Sequence, residues 1–226
     1  MNLLSIDTSG AACSAAVFCQ GRLVSEQYLH HQKTHSAVLL ELIDGCLARA
    51  ELNLSQMELF AVSIGPGSFT GLRIGIGTVK AFAQATGKKI AALSALDLLA
   101  QNAPEKRGVV CALMDARNQR VFVSAYQDGE KILEDCALDL AELKEKLPSG
   151  KAVYFLGDGA LSYREQLAVA FGDAQFAPPH LCLQRASAAY QLALAAAERN
   201  ELVSCEQAKL NYLVQSQAER NYKEKR

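Results

Sequence analysis

Two acids, Asp7 and Asp115, stand 108 residues apart, and so do two glycines, Gly21 and Gly129. Each acid closes a short apolar run, residues 3–6 and 109–114. Each glycine sits in a tight turn between two strand-like runs. A strand end and a hairpin turn that share one offset mark an internal repeat, and a repeat constrains architecture before any single element does.

The first copy opens with strands at residues 3–6, 13–19 and 22–29, joined by Asp7-Thr8-Ser9-Gly10 and Gln20-Gly21. Short strands linked by such turns are antiparallel hairpins. The period then changes. Over residues 36–52, Leu39, Leu42, Ile43, Cys46 and Ala50 recur on one helix face. Val38, Leu40 and Leu47 are apolar off that stripe, which predicts a helix buried on two sides. A strand at 60–64, the turn Gly65-Pro66-Gly67, a helix over 69–85, a strand at 89–93 and a short helix to Gln101 complete the copy. Residues 102–107, with Pro104, form the linker.

The second copy reads as strands at 109–114, 121–125 and 131–137, then a helix over 139–147 and a strand at 152–156. The turn Gly157-Asp158-Gly159, a helix to Phe171 and a further helix over 186–199 follow. Gly65 and Gly157 are 92 residues apart, so the second copy has the shorter first helix. The pattern predicts two similar α/β lobes, residues 1–103 and 104–226, with a cleft between them. The last segment is expected to pack back on the first lobe.

Composition narrows the function. The chain has 226 residues, half of them hydrophobic, and a formal net charge of −1. A protein that grips nucleic acid alone carries a clustered basic surface, because phosphate contacts supply most of the affinity. The basic tail Arg220, Lys223, Lys225 and Arg226 is diluted by Glu219 and Glu224. It reads as a solvated terminus, with a supporting RNA contact inside a larger assembly as the alternative. The seven cysteines are odd in number and none is spaced C-x-x-C, which fits free thiols in a reducing compartment. The N-terminus lacks a signal-peptide pattern, and no apolar run reaches about 18 residues. The expectation is a cytoplasmic protein without membrane contact.

Asp7-Thr8-Ser9-Gly10 suits a phosphate or a metal-bound water, since backbone N–H groups in a turn favour anions. It suits an ordinary hairpin equally. An aspartic-protease reading fails, because that chemistry needs two carboxylates sharing a proton and Asp115-Ala116-Arg117 is a poor second copy. The stretch from Gly65 to Gly77 opens a helix but matches neither G-x-G-x-x-G nor G-x-x-x-x-G-K-[ST]. Within that helix, Gly71, Gly75, Thr78 and Phe82 share one face, beside Leu72, Ile76, Val79 and Ala83. A helical glycine costs about 1 kcal/mol relative to alanine, so close approach of another element is expected. That element is the 36–52 helix, a second chain, or both; packing within the chain is the alternative. On the second-chain reading, Gly75→Arg folds but fails to pair. His31 and His35 precede the helix, have no acid between them and flank Lys33, which argues against a metal. His180 is a lone loop histidine, and spacing assembles no catalytic triad.

These residues resemble a family. Leu4-Ser5-Ile6-Asp7-Thr8-Ser9, followed by Cys13-Ser14-Ala15-Ala16, is similar to the start of bacterial TsaB (YeaZ) proteins. Gly65-Pro66-Gly67-Ser68-Phe69-Thr70-Gly71-Leu72-Arg73-Ile74-Gly75 is close to that family's signature, and Met114-Asp115-Ala116-Arg117 with Val121-Phe122 to its second-lobe motif. The resemblance implies an α/β, duplicated RNase H-like fold of the actin-type ATPase (ASKHA) class. It also implies a non-catalytic scaffold subunit. Its partners would be a TsaD-like catalytic subunit, a TsaE-like ATPase and a second copy of itself as a homodimer, with tRNA reached only through the complex. The TsaD-like partner transfers threonylcarbamoyl to the adenosine beside the anticodon of tRNA.

TsaD-like relatives carry a metal-binding His-x-x-x-His after the helix that follows the glycine turn; here residues 88–101 contain no histidine. The implied pairing surface lies on the first two helices: His35, Ser36, Leu39, Leu40, Ile43 and Leu47 with Gly71, Arg73, Ile74, Gly75, Thr78 and Phe82. Asp7, Thr8, Ser9, Asp115, Arg117, Gly157 and Gly159 would form a vestigial nucleotide site for ATP or ADP, with no metal. Leu210-Asn211-Tyr212-Leu213-Val214 loosely matches the family's Pro-x-Tyr-Leu-Arg ending, with Val214 in place of arginine. Two rival readings are an independent actin-fold ATPase or small-molecule kinase using Asp7 and Asp115, and a regulatory homodimer without a tRNA role.

Overall fold

In the computed structural model, residues 1–30, 34–104 and 108–214 are described. β1 (Leu3–Asp7) is buried at every position, as a strand covered on both faces must be. It pairs antiparallel with β2 (Cys13–Cys19) and parallel with β4 (Leu59–Gly65). β3 (Arg22–Leu29) and β5 (Lys89–Ser94) complete a sheet of order β3-β2-β1-β4-β5.

Alternation along these strands sends two side-chain sets to opposite faces. Leu4, Ile6, Val17, Phe60 and Val62 meet α1 (His35–Arg49) and α2 (Phe69–Thr86). Leu3, Ala16, Phe18, Leu59 and Ala61 meet Ala186, Ala189 and Ala193. The last two begin and centre a helix contributed by the far end of the chain. Ser68 caps α2 by accepting from the Gly71 N–H, and left-handed Gly87 ends it.

After α3 (Ala95–Ala100), the plan repeats with β6 (Val109–Asp115), β7 (Arg120–Gln127) and β8 (Glu130–Asp139). α4 (Leu143–Lys146), β9 (Val153–Leu156), α5 (Asp158–Ser162), α6 (Arg164–Ala170), β10 (Gln175–Phe176) and α7 (Ala189–Glu198) follow. The second sheet runs β10-β9-β6-β7-β8, the same order traversed from the other end. In both, the first strand pairs antiparallel with the second and parallel with the fourth. This is the duplicated RNase H-like fold of the actin class.

The differences from expectation are local. The helix expected over 139–147 shrinks to a 3-10 turn, Leu140–Glu142, and the single turn of α4, because β8 runs on to Asp139. The helix expected up to Phe171 breaks at Tyr163, which leaves the helical region (φ −113°, ψ 22°). Its hydroxyl donates to Asp115 Oδ1 at 2.9 Å, so a tertiary bond accompanies the break. β10 is two residues long and shows no periodicity.

Beyond α7, residues 201–214 form a strap. Val203 and Ile90 exchange backbone hydrogen bonds at 2.9 Å, covering the β5 edge. Lys80 Nζ donates to the Ala208 carbonyl and Asn211 N–H to the Ile64 carbonyl. Among the described residues no helix is long and apolar enough to cross a membrane. The expected linker is described up to Pro104; residues 105–107, His31 and the tail from 215 lie outside the described residues.

Candidate functional site

The strand-end turns of the two halves face each other across a cleft of about 520 Å³. Ser9, Gly67 and Phe69 line it from the first half, and Asp115, Arg117 and Asp158 from the second. The repeat extends to the side chains. Asp7 Oδ1 accepts from the Ser9 N–H at 2.8 Å, and Asp115 Oδ1 from the Arg117 N–H at 2.7 Å, the same acid-to-i+2 turn in both copies.

The two acids differ in access. Asp7 is fully buried. Its Oδ1 also accepts from the Ser9 and Ser63 hydroxyls, while Oδ2 has no partner. Burial raises the Asp7 carboxyl above the ordinary carboxylate range, against the lowering effect of those hydrogen bonds and of nearby His35. Thr8 is also sealed, donating from Oγ1 to the Gly71 carbonyl at 2.8 Å. Of the first expected triad, only Ser9 lines the cleft. Asp115 is partly exposed and holds Arg117 N–H and the Tyr163 hydroxyl. Asp158 Oδ1 accepts from the Asp115 and Gly159 N–H groups, and burial raises its carboxyl too. Gly157 and Gly159 do not line the cleft; they let the turn close under the backbone of residues 113–115, where a methyl on Gly157 (φ +109°) would overlap the Leu113 carbonyl. Arg117, Asn118 and Gln119 all adopt left-handed φ, an unusual run for residues with side chains, and this turn carries Arg117 to the cleft wall.

The structure divides the residues expected to pair. Leu39, Ile43 and Leu47 are core residues. Leu40 points outward, 57% exposed, so α1 is buried on one broad face, not two sides. Ser36 and Arg73 are exposed, and His35, Ile74, Thr78 and Phe82 are half-buried. His35 Nε2 lies 2.9 Å from the Gly10 carbonyl, binding the first turn.

Of the readings left open for the glycine face, the structure shows packing within the chain, so Gly71 and Gly75 are not free to pair. Gly71 and Gly75 are buried, and a methyl on either would overlap Thr8, at its carbonyl and Oγ1 respectively. The element that needed close approach is the strand-end turn of the same chain. Gly75→Arg would therefore collide inside the fold.

Sequence reasoning missed the strap's part in the site. Val214 lines the cleft, and Tyr212 stacks on Phe69. The only signal was the family-like ending at residues 210–214.

Residues 27–222 match the family model described as TsaD, tRNA N6-adenosine threonylcarbamoyltransferase. The tRNA threonylcarbamoyladenosine biosynthesis protein TsaB of Bacillus subtilis is 28% identical over 184 residues, 78% of this chain and 79% of that protein. The TsaB of Haemophilus influenzae is 37% identical over 137 residues, 60% of this chain and 57% of that protein. A crystal structure from Pseudomonas aeruginosa, of a protein with similarity to peptidase YEAZ, superposes with TM-score 0.80 at 31% identity, covering 94% of this chain and 99% of that one. Shared signatures, a shared duplicated fold and these matches agree: the chain belongs to the TsaB (YeaZ) family.

Proposed function

We propose that this chain acts in the formation of threonylcarbamoyladenosine on tRNA as a non-catalytic scaffold that pairs with a TsaD-like transferase. Membership of a family whose relatives are named for that biosynthesis supports the pathway. The observation that carries the scaffold role is the state of the strand-end acids: Asp7 is sealed, and Asp115 and Asp158 are held by backbone N–H groups. Residues 88–101 lack the histidines with which a TsaD-like relative holds its metal. The pairing surface is then the outward part of the first two helices, Ser36 and Leu40 on α1 with Ile74, Thr78 and Phe82 on α2. A second copy uses the same ridge, and a TsaE-like ATPase joins the assembly.

Light scattering on size-exclusion fractions tests this reading, with the chain alone and mixed with the TsaD-like protein of the same cell. The expected result is a homodimer that converts to a mixed complex. Leu40→Asp, at an exposed site, is expected to stay folded and to weaken pairing at least about tenfold, since a charge replaces an apolar contact in a dry interface. A chain that ignores the partner and turns over ATP would favour the independent ATPase reading, which draws on the same 520 Å³ cleft.

A further inference from the structure

The flank of α2 under the strap has its own character. Between Glu58 and Asp97 the chain contains no acid, and its four cations there are Arg73, Lys80, Lys88 and Lys89. All lie on α2 or within three residues of its end. The strap adds exposed Lys209. Its Glu206 lies toward Lys80, whose charge lowers the Glu206 carboxyl after the larger effect of Cys205 and Ser204 hydrogen bonds.

At the cleft end of this flank, aromatic and cationic groups converge. Phe69 and Tyr212 stack with centroids 4.1 Å apart and planes 11° from parallel. The Arg73 guanidinium lies 4.4 Å over the Phe69 ring, and its Nε donates to the Tyr212 hydroxyl at 3.1 Å. Tyr212 is thus held rigidly yet remains 39% exposed. Phe69 and Val214 continue into the cleft wall, and exposed Arg117 stands on the other lobe's wall. In sequence, the residues after Val214 include Arg220, Lys223, Lys225 and Arg226 against Glu219 and Glu224.

We propose that this corner is an RNA contact, where a single-stranded loop stacks one base on Tyr212 and sets its phosphates against Arg73, Lys209 and Arg117. The proposal rests on the tRNA reading above and assigns this chain a direct part in holding the tRNA. A rigid aromatic ring among the exposed cations Arg73, Lys209 and Arg117 matches a ligand that is both flat and polyanionic, because stacking tolerates any base and phosphates take the charge. A protein partner would seek apolar anchors, and among the described residues Tyr212 is the one large hydrophobic side chain this corner exposes. The overall charge of −1 makes the contact one of several in an assembly, not a site that holds RNA alone.

The test uses the full chain in complex with its TsaD-like partner and a fluorescent tRNA that reads A-starting codons. Affinity is read between about 50 and 200 mM salt. Lys209→Gln and Arg117→Gln are each expected to lower the slope of log affinity against log salt by about 1. Tyr212→Ala is expected to weaken binding about 5- to 100-fold, and Tyr212→Phe to retain most of it. Lys209 makes no side-chain bond among the hydrogen bonds and ion pairs of the described residues, so its variant leaves the strap in place. Wild-type affinity and slope in all these paired complexes would overturn the contact and leave the scaffold reading standing. A wild-type chain that fails to pair at all would overturn the scaffold reading itself.

Discussion

Asp7 shows how one residue type serves two ends. Its position at the end of β1 suggests chemistry, but its environment is that of a structural acid: full burial, three hydrogen bonds to Oδ1 and none to Oδ2. Because burial raises its folded-state pKa, its contribution to stability is full below the ordinary carboxylate range and is lost as pH rises through the raised value. Asp7→Asn keeps an acceptor at Oδ1 and removes the buried charge. It is expected to leave neutral-pH stability unchanged or raise it by up to about 2 kcal/mol, and to flatten this part of the pH dependence. Urea unfolding at acidic and neutral pH checks this, and a large loss at neutral pH would show that the fold requires the ionised form. The turn residues were legible from the sequence. Which of them reach the cleft was not, because access depends on what covers them from elsewhere in the chain.

At the scale of elements, α2 is the informative case. Its start, its glycine-rich face and the need for a close neighbour all follow from composition and spacing. The neighbour's identity does not, since a second helix, a second chain and the chain's own turn make the same demand. The structure resolves it in favour of Thr8, which donates to Gly71 and abuts Gly75. Gly75→Ala is accordingly expected to cost about 1–3 kcal/mol, the usual price of an added methyl in a packed interior. Thermal unfolding measures it, and an unchanged midpoint would mean that the turn moves aside freely. The elements that departed from expectation, the shortened α4 and the break at Tyr163, did so where tertiary bonds or a longer strand overrode local preference.

At the scale of the whole molecule, a polar network joins α3 and the end of β5 to β7 and β8 of the second lobe. Lys131 Nζ lies 2.7 Å from both Asp97 Oδ1 and Asp135 Oδ1, bridging α3 and β8. Ser94, at the end of β5, donates to Asp135, and Tyr126 donates to Asp97. Burial alone would lower the Lys131 pKa, but the hydrogen bonds and charges of Asp135 and Asp97 raise it overall. Lys131→Met would leave the Asp135 carboxylate, whose side chain is 10% exposed, without its cation and with the Ser94 hydrogen bond in place. A loss of about 3 kcal/mol is expected by chemical denaturation, with faster hydrogen exchange between the lobes. A loss below about 1 kcal/mol would mean that this network contributes little to holding the lobes together.

The sequence by itself determined the duplication, the hairpins that open each half, and the family. Those properties are written in local periodicity and in repeated turn chemistry, which the chain carries wherever it folds. Only the tertiary structure decided that α7 packs on the sheet face opposite α1 and α2 while the strap runs along the β5 edge, that Leu40 faces outward while Leu39 does not, and that Tyr212 meets Phe69 and Arg73. Each of these joins segments far apart in the chain or selects one helix face among several apolar ones. Such choices are made by how well surfaces pack in three dimensions, and no pattern along the chain records them.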